Sequence, residues 1–187
     1  MLDPRTHAFR PDLADERLSS IVKAERYIPG DDAHVHRDSV PLFNEPSFDG
    51  ELQTEALFGE IVRIFEIQDG WAWGQLQTDG YVGYLPLEAL SPGVLKPTHR
   101  VSSLRSFVYE DANLKSPPVA LISIMSPVAV AGEEGEFFEL AGNGYVFKNH
   151  LISLEQQPLI DVDGRETKSS YAGVKQDFVS VAEQFIN

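Results

Sequence analysis

Residues 69–86 read DGWAWGQLQTDGYVGYLP. Two Trp, two Tyr and four Gly stand in this run, and Pro86 closes it. Asp69-Gly70 and Asp79-Gly80 are hairpin signals, because glycine accepts the positive φ that tight hairpin turns require. WAWGQL and YVGYLP are then the two strands around the second turn. Upstream, GEIVRIFEI (59–67) is rich in β-branched and aromatic residues and reads as a third strand. Side chains alternate across a pleat, so Trp71 and Trp73 share one face while Ala72 and Gly74 share the other. Two roles stay open for the tryptophan face: packing in a small core or between domains, and lining an exposed binding surface.

The pattern then repeats. An ungapped shift of 64 residues sets Leu76 on Leu140, and Asp79-Gly80-Tyr81-Val82 on Asn143-Gly144-Tyr145-Val146. The same shift sets Phe43 on Phe107, Leu57 on Leu121 and Ile64 on Val128. Such a period exceeds most solenoid units and suits two small barrels in tandem. The expected organisation is an N-terminal arm and helix (1–32), a first barrel (33–95), a second barrel (98–155) and a linker with a terminal helix (156–187). The joint is SPGVLKP (91–97).

Short helices are expected at both ends. Leu18, Ile21, Val22 and Glu25 have helical spacing and place a helix over about residues 13–26, capped by Asp12. Val174, Phe178, Val181 and Phe185 form one apolar face near the end of the chain. That stripe must fold back on the barrels, open a further domain, or pair two copies into a homodimer.

Composition limits the function. The 187 residues carry a net charge of −14, which disfavours a phosphate backbone or an anionic membrane as partner. There is no cysteine, hence no disulfide, thiolate metal site or cysteine nucleophile within these residues. The first residues carry charges where a secretory signal has its apolar core, and no run approaches the roughly 18 apolar residues of a membrane span. The default location is therefore the cytoplasm. His34-X-His36 would pair two imidazoles on one strand face, but no third metal ligand follows from the spacing. Ser102-Ser103 lacks the strand–turn–helix frame of a serine nucleophile. No cofactor is implied.

GELQTEALFGEIV (50–62), followed by DGWAWGQLQTDGYVGYLP, resembles the first bacterial SH3 (SH3b) domain of NlpC/P60 cell-wall peptidases of the dipeptidyl-peptidase VI type. THRVSSLRSFVYEDANLKSPP and GNGYVFKNHL resemble the second. DFVSVAEQFIN looks like the first helix of the papain-like catalytic domain. The resemblance implies an all-β protein of two tandem SH3-like barrels with short flanking helices. It also implies the non-catalytic part of a peptidase acting on L-Ala-γ-D-Glu-diamino-acid peptides. The catalytic cysteine of that family has no counterpart here, so no peptidase activity is expected of these residues. The implied partners are a murein peptide or an NlpC/P60 catalytic domain. Tyr81 carries a substrate-side role by motif match; its recurrence as Tyr145 argues for a structural role instead. Tyr84 and Trp73, and the loops around Phe43, Glu45 and Glu55, complete the substrate-binding candidates. The alternative is a stand-alone module that recognises a wall peptide or a partner protein, or regulates the enzyme, without chemistry.

Overall fold

A computed structural model describes residues 2–142, 144–156, 159–160 and 166–167. The chain is mostly β, and the described helical residues form single 3-10 turns. Among them no helix is long and apolar enough to cross a membrane. The terminal stripe Val174–Phe185 lies outside the described residues.

The first sheet has seven strands in the order β5-β4-β8-β7-β6-β3-β9. These are β3 (Asp31–Val35), β4 (Ser39–Phe43), β5 (Leu52–Leu57), β6 (Ile61–Gln68), β7 (Trp71–Leu76), β8 (Val82–Pro86) and β9 (Leu90–Pro92). The expected hairpins are present. Gly70 and Gly80 take φ of +82° and +81°, and β7 pairs with both β6 and β8. The sheet curls over Val35, Leu42, Val62, Ala72, Leu76 and Leu85, all at or near zero exposure. Close curling demands small residues on the concave side. A Cβ on Gly83 would lie 2.3 Å from Leu42 Cδ2 and 2.4 Å from the Phe43 carbonyl oxygen.

The second half repeats this ladder rung by rung. It comprises β10 (His99–Val101), β11 (Arg105–Tyr109), β12 (Pro118–Ser123), β13 (Pro127–Val128), β14 (Val130–Glu134), β15 (Phe137–Leu140), β16 (Tyr145–Phe147) and β17 (Leu151–Ser153). Their order is β12-β11-β16-β15-β14 in one sheet and β13-β10-β17 in another. A break at Ala129 divides what in the first half is the single strand β6. Val35 pairs with Leu90 as Val101 pairs with Leu151. Phe43 pairs with Tyr84 as Tyr109 pairs with Tyr145. Both halves even place a bulge at the same rung, between Ile64 and Glu66 and between Val130 and Gly132. The offset is therefore 66 residues before the last hairpin (Val35 to Val101) and 61 after it (Leu90 to Leu151). The uniform shift of 64 is corrected accordingly: Phe43 answers to Tyr109, Val128 to Val62, and Tyr145 to Tyr84 rather than Tyr81. Neither ladder closes: β5 and β9 remain the outer strands of one, and β12 and β17 end the two sheets of the other.

The expected helix over 13–26 is absent. Residues 2–28 instead form an irregular arm, with β1 (Leu13–Asp15) paired in parallel to β2 (Arg26–Ile28). A single 3-10 turn, Glu16–Leu18, follows β1 and is capped by Asp15, not Asp12. Ile21, on the expected apolar face, is 63% exposed, whereas Leu13 and Ala14 are buried. The arm is extended because its apolar residues have another surface to cover. Ala8 and Leu13 pack with Phe65, Trp73 and Val82 on the convex side of the first sheet. Two short strands beyond the repeat, β18 (Leu159–Ile160) and β19 (Glu166–Thr167), pair with each other.

The halves meet where Phe58 packs on the second core and Leu121 N–H donates to Asp38 Oδ2 at 3.2 Å. At the centre of this contact Gly59 takes φ +79°, and a Cβ there would stand 1.9 Å from the Pro127 carbonyl oxygen. Gly59→Ala is expected to cost about 1–3 kcal/mol for overpacking in addition to the backbone strain of positive φ. Gly70→Ala, at similar φ but with open space around it, bears only the strain. Urea unfolding of both variants checks this; equal losses would remove the Pro127 contact from the account.

Candidate functional site

The convex face of the first sheet carries a row of residues from four strands. Phe43 on β4 pairs with Tyr84 on β8, Tyr84 with Trp73 on β7, and Trp73 with Glu66 on β6. Their alternation with Ala72, Gly83 and Leu85 fixes which face they take. The tryptophan face is therefore opposite the main core of the sheet. It is a second surface, half covered by the N-terminal arm.

Arg10 closes that cover. Its guanidinium carbon lies 4.3 Å from the centre of the Trp73 ring. One terminal nitrogen donates to the Tyr84 hydroxyl at 2.9 Å. The other donates to Glu66 Oε2 at 2.5 Å and to Asp12 Oδ2 at 2.8 Å. Burial opposes the charge on Arg10, but the Asp12, Glu66 and Tyr84 hydrogen bonds outweigh it and hold the pKa above the usual guanidinium value. The Arg10 hydrogen bond in turn keeps the Asp12 carboxyl below its usual range.

Beside this clamp lies a cleft of about 560 Å³ bordered by Arg10, Asp12, Pro46, Glu66, Asp69 and Trp71, with Trp73 and Tyr84 beneath. Trp71 is half-buried, and its ring stands 4.9 Å from that of Phe48 and 6.1 Å from that of Phe43. Phe48 is 71% exposed. The cleft thus offers an exposed aromatic wall and three carboxylates, two of which, Asp12 and Glu66, are paired with Arg10 and with Arg26 at its edge. It suits a small zwitterionic or cationic ligand with an apolar side, such as a short peptide.

The sequence candidates distribute unevenly around it. Tyr84 borders the cleft, and Phe43 backs its aromatic wall. Trp73 is 4% exposed and its ring is taken by Arg10 and Phe65, so it forms the floor. Tyr81 sits at the hairpin tip, where its N–H donates to Asp79 Oδ1. Glu45 lies exposed in the 44–51 loop, and Glu55 on the outer strand β5. Arg10, Asp12, Phe48 and Glu66 carry the clamp and wall yet had no motif to mark them. Arg10 in particular is 74 positions from Tyr84 and is joined to it only by the path of the arm.

Elsewhere, His34 Nδ1 and His36 Nε2 each contact a backbone carbonyl, of Gly93 and Glu88, at 2.9 Å. Both border an apolar cavity of about 330 Å³ between the halves. Among the described residues no three His, Asp or Glu side chains gather as metal ligands. His150 Nδ1 lies 2.9 Å from Ser106 Oγ. Ser106 is 2% exposed, however, and none of the described acids hydrogen-bonds the other ring nitrogen, so this pair is structural.

The comparisons agree with this architecture. Residues 42–90 match the family model described as the bacterial dipeptidyl-peptidase Sh3 domain. That stretch begins on β4, ends on β9, and contains Phe43, Phe48, Glu66, Trp71, Trp73 and Tyr84. Residues 42–90 therefore carry a bacterial SH3 domain of the dipeptidyl-peptidase type. Among solved structures, an NlpC/P60 family protein from Bacillus cereus ATCC 10987 superposes with a TM-score of 0.53 at 14% identity, over 67% of this chain and 58% of that one. It shares the fold. NlpC2 from Trichomonas vaginalis gives a TM-score of 0.32 at 14% identity, over 71% of this chain and 51% of that one. NlpC1 from the same organism gives 0.32 at 15%, over 70% and 48%. The matched region thus spans only about half of these proteins. No curated protein matches the chain.

Two predictions follow from the clamp. Arg10→Ala is expected to cost about 2 kcal/mol, the loss of a cation–π contact and charge-assisted hydrogen bonds. It should also red-shift tryptophan emission as Trp73 meets water; unchanged emission would mean the arm stays docked without Arg10. Acid should act in the same direction. Arg10 lowers the Asp12 pKa, and Arg63, bonded to Asp32 at 2.8 and 3.0 Å, lowers that of Asp32. A carboxyl with a depressed folded pKa contributes stability above its unfolded value, here 3.8, and loses it as pH falls through the folded one. Emission should hold steady from neutral pH down to about 4 and shift only below that. A midpoint well above 5 would assign the clamp to other groups.

Proposed function

We propose that the chain is the non-catalytic SH3b portion of a murein peptide endopeptidase of NlpC/P60 type. It walls the substrate site and selects L-Ala-γ-D-Glu-diamino-acid peptides for a catalytic domain that supplies the nucleophile. One observation carries the reading: the dipeptidyl-peptidase SH3 match falls on the strands that build the aromatic and acidic cleft. The repeated ladder supports the finer architecture, two SH3-like barrels in tandem, each left open between its outer strands.

The chemistry agrees with a recognition role. With no cysteine in 187 residues, the chain offers no thiolate for a papain-like mechanism. Asp69, which among the described residues has no ion pair, favours the free ammonium end of a peptide, while Trp71 and Phe48 accept a methyl or methylene group. Tyr84 fixes orientation through its hydroxyl. Tyr81, Glu45 and Glu55 join the peptide only where it extends past the cleft toward the hairpin tip and the outer strand.

Titration of the ¹⁵N-labelled chain with L-Ala-γ-D-Glu-diaminopimelate is the test. Amide shifts should cluster at Phe48, Asp69, Trp71 and Tyr84, with no hydrolysis product by mass spectrometry. Blocking the peptide's amino group by acetylation should weaken binding about tenfold or more, the loss of one charge-assisted contact or more. Turnover by this chain, or a titration flat across the cleft, would refute the reading.

A further inference from the structure

The rung-by-rung repeat gives the second half a row equivalent to the clamp. In the first sheet the row is Phe43, Tyr84, Trp73 and Glu66. In the second it is Tyr109 on β11, Tyr145 on β16, Glu139 on β15 and Gly132 on β14. The tyrosine is kept at the same rung. The carboxylate moves one strand inward, from the Glu66 position to the Trp73 position. Gly132 makes room for it: a Cβ there would lie 2.9 Å from Glu139 Oε2.

The groups that hold Arg10 on the first sheet, a tyrosine hydroxyl and a carboxylate, are thus rebuilt as the directly opposed pair Tyr145 and Glu139. Opposed residues of an antiparallel pair stand with Cβ atoms about 4.5–5.5 Å apart, within the span of one guanidinium. Glu139 is exposed and Tyr145 half-buried. Among the described residues, no hydrogen bond involves the Tyr145 hydroxyl and no ion pair the Glu139 carboxylate. Glu139 first, then burial, then Glu134 and Asp111 raise the tyrosine pKa above 10.0, so the local field is negative. Rings flank the pair as they do the clamp. Tyr109 stands 6.0 Å from Phe107 and 6.0 Å from Phe137, and Phe107 is 45% exposed. Among the described residues no arm lies on the second sheet: residues 2–28 pack on the first one.

We infer that the Tyr109–Tyr145–Glu139 row is a docking surface for an arginine-bearing extended segment of a partner protein, seated as Arg10 is seated on the first sheet. Arginine fits better than lysine, because its fork reaches the hydroxyl and the carboxylate together while its plane lies on the neighbouring rings.

The probe is an acetylated and amidated Thr-His-Ala-Phe-Arg-Pro-Asp peptide, a copy of residues 6–12, and its citrulline counterpart. Each is titrated at low salt into the ¹⁵N-labelled full chain. The arginine peptide should shift the amides of Tyr109, Glu139 and Tyr145. Citrulline, Glu139→Gln and Tyr145→Phe should each weaken that response about tenfold or more. Both substitutions change groups at the surface, and the dispersion of the remaining spectrum reports that the fold is kept. Three results would overturn the inference: no response at these amides, a response indifferent to citrulline or to Glu139→Gln, or shifts confined to Trp71, Trp73 and Tyr84. The last would mean that the peptide only displaces the native arm. None of the three decides the murein cleft of the first half, which is tested with a different ligand and by the effect of acetylating that ligand's amino group.

Discussion

Arg10 anchors the N-terminal arm to the open sheet, with Arg26 beside it on the same Glu66 carboxylate. The convex face of β6–β8 is built from Phe65, Trp73, Val82 and Tyr84, and such a face cannot be left to water at the scale of a 25 cal/mol per Å² burial energy. Ala8 and Leu13 supply the apolar cover, while Arg10 supplies direction. It binds a ring, a hydroxyl and two carboxylates at once, and these contacts fix the path of the arm. The cleft exists because of that path. Remove the arm, and Trp73 and Tyr84 become an open aromatic surface walled on the Trp71–Phe48 side alone.

The strands of the sheet were legible because their signals are local. Asp-Gly turns, an alternating β7 and a β-branched β6 each announce themselves within ten residues. The arm was not legible. Leu18, Ile21 and Val22 have helical spacing, but spacing records only that a helix would be amphipathic, not that it has a partner. Here the demand came from Trp73 and Phe65, some 50 residues away, and an extended arm meets it by presenting Ala8 and Leu13. Tertiary packing overrode local preference.

The site was half legible for a related reason. The aromatic residues of the cleft announce themselves by their density between turns. Arg10, Asp12 and Glu66 do not, since charged residues at such positions are ordinary in a solvated surface. Their meaning appears only when the arm brings Arg10 over the rung that Glu66 ends. The repeat suffered a similar distortion. One uniform shift falls between the true offsets of 66 and 61 (Val35 to Val101, Leu90 to Leu151) and so pairs the wrong tyrosines.

That change of offset has an engineering consequence. All of the length difference between the halves is taken up in one reverse connection, the chain between Trp73 and Tyr84 against that between Glu139 and Tyr145, while every flanking rung keeps its partner. The connection is thus a natural splice point, where foreign sequence can be grafted without disturbing hydrogen-bond register. A loop inserted after Gln77 would be displayed on a scaffold whose two halves already differ in length at this very connection.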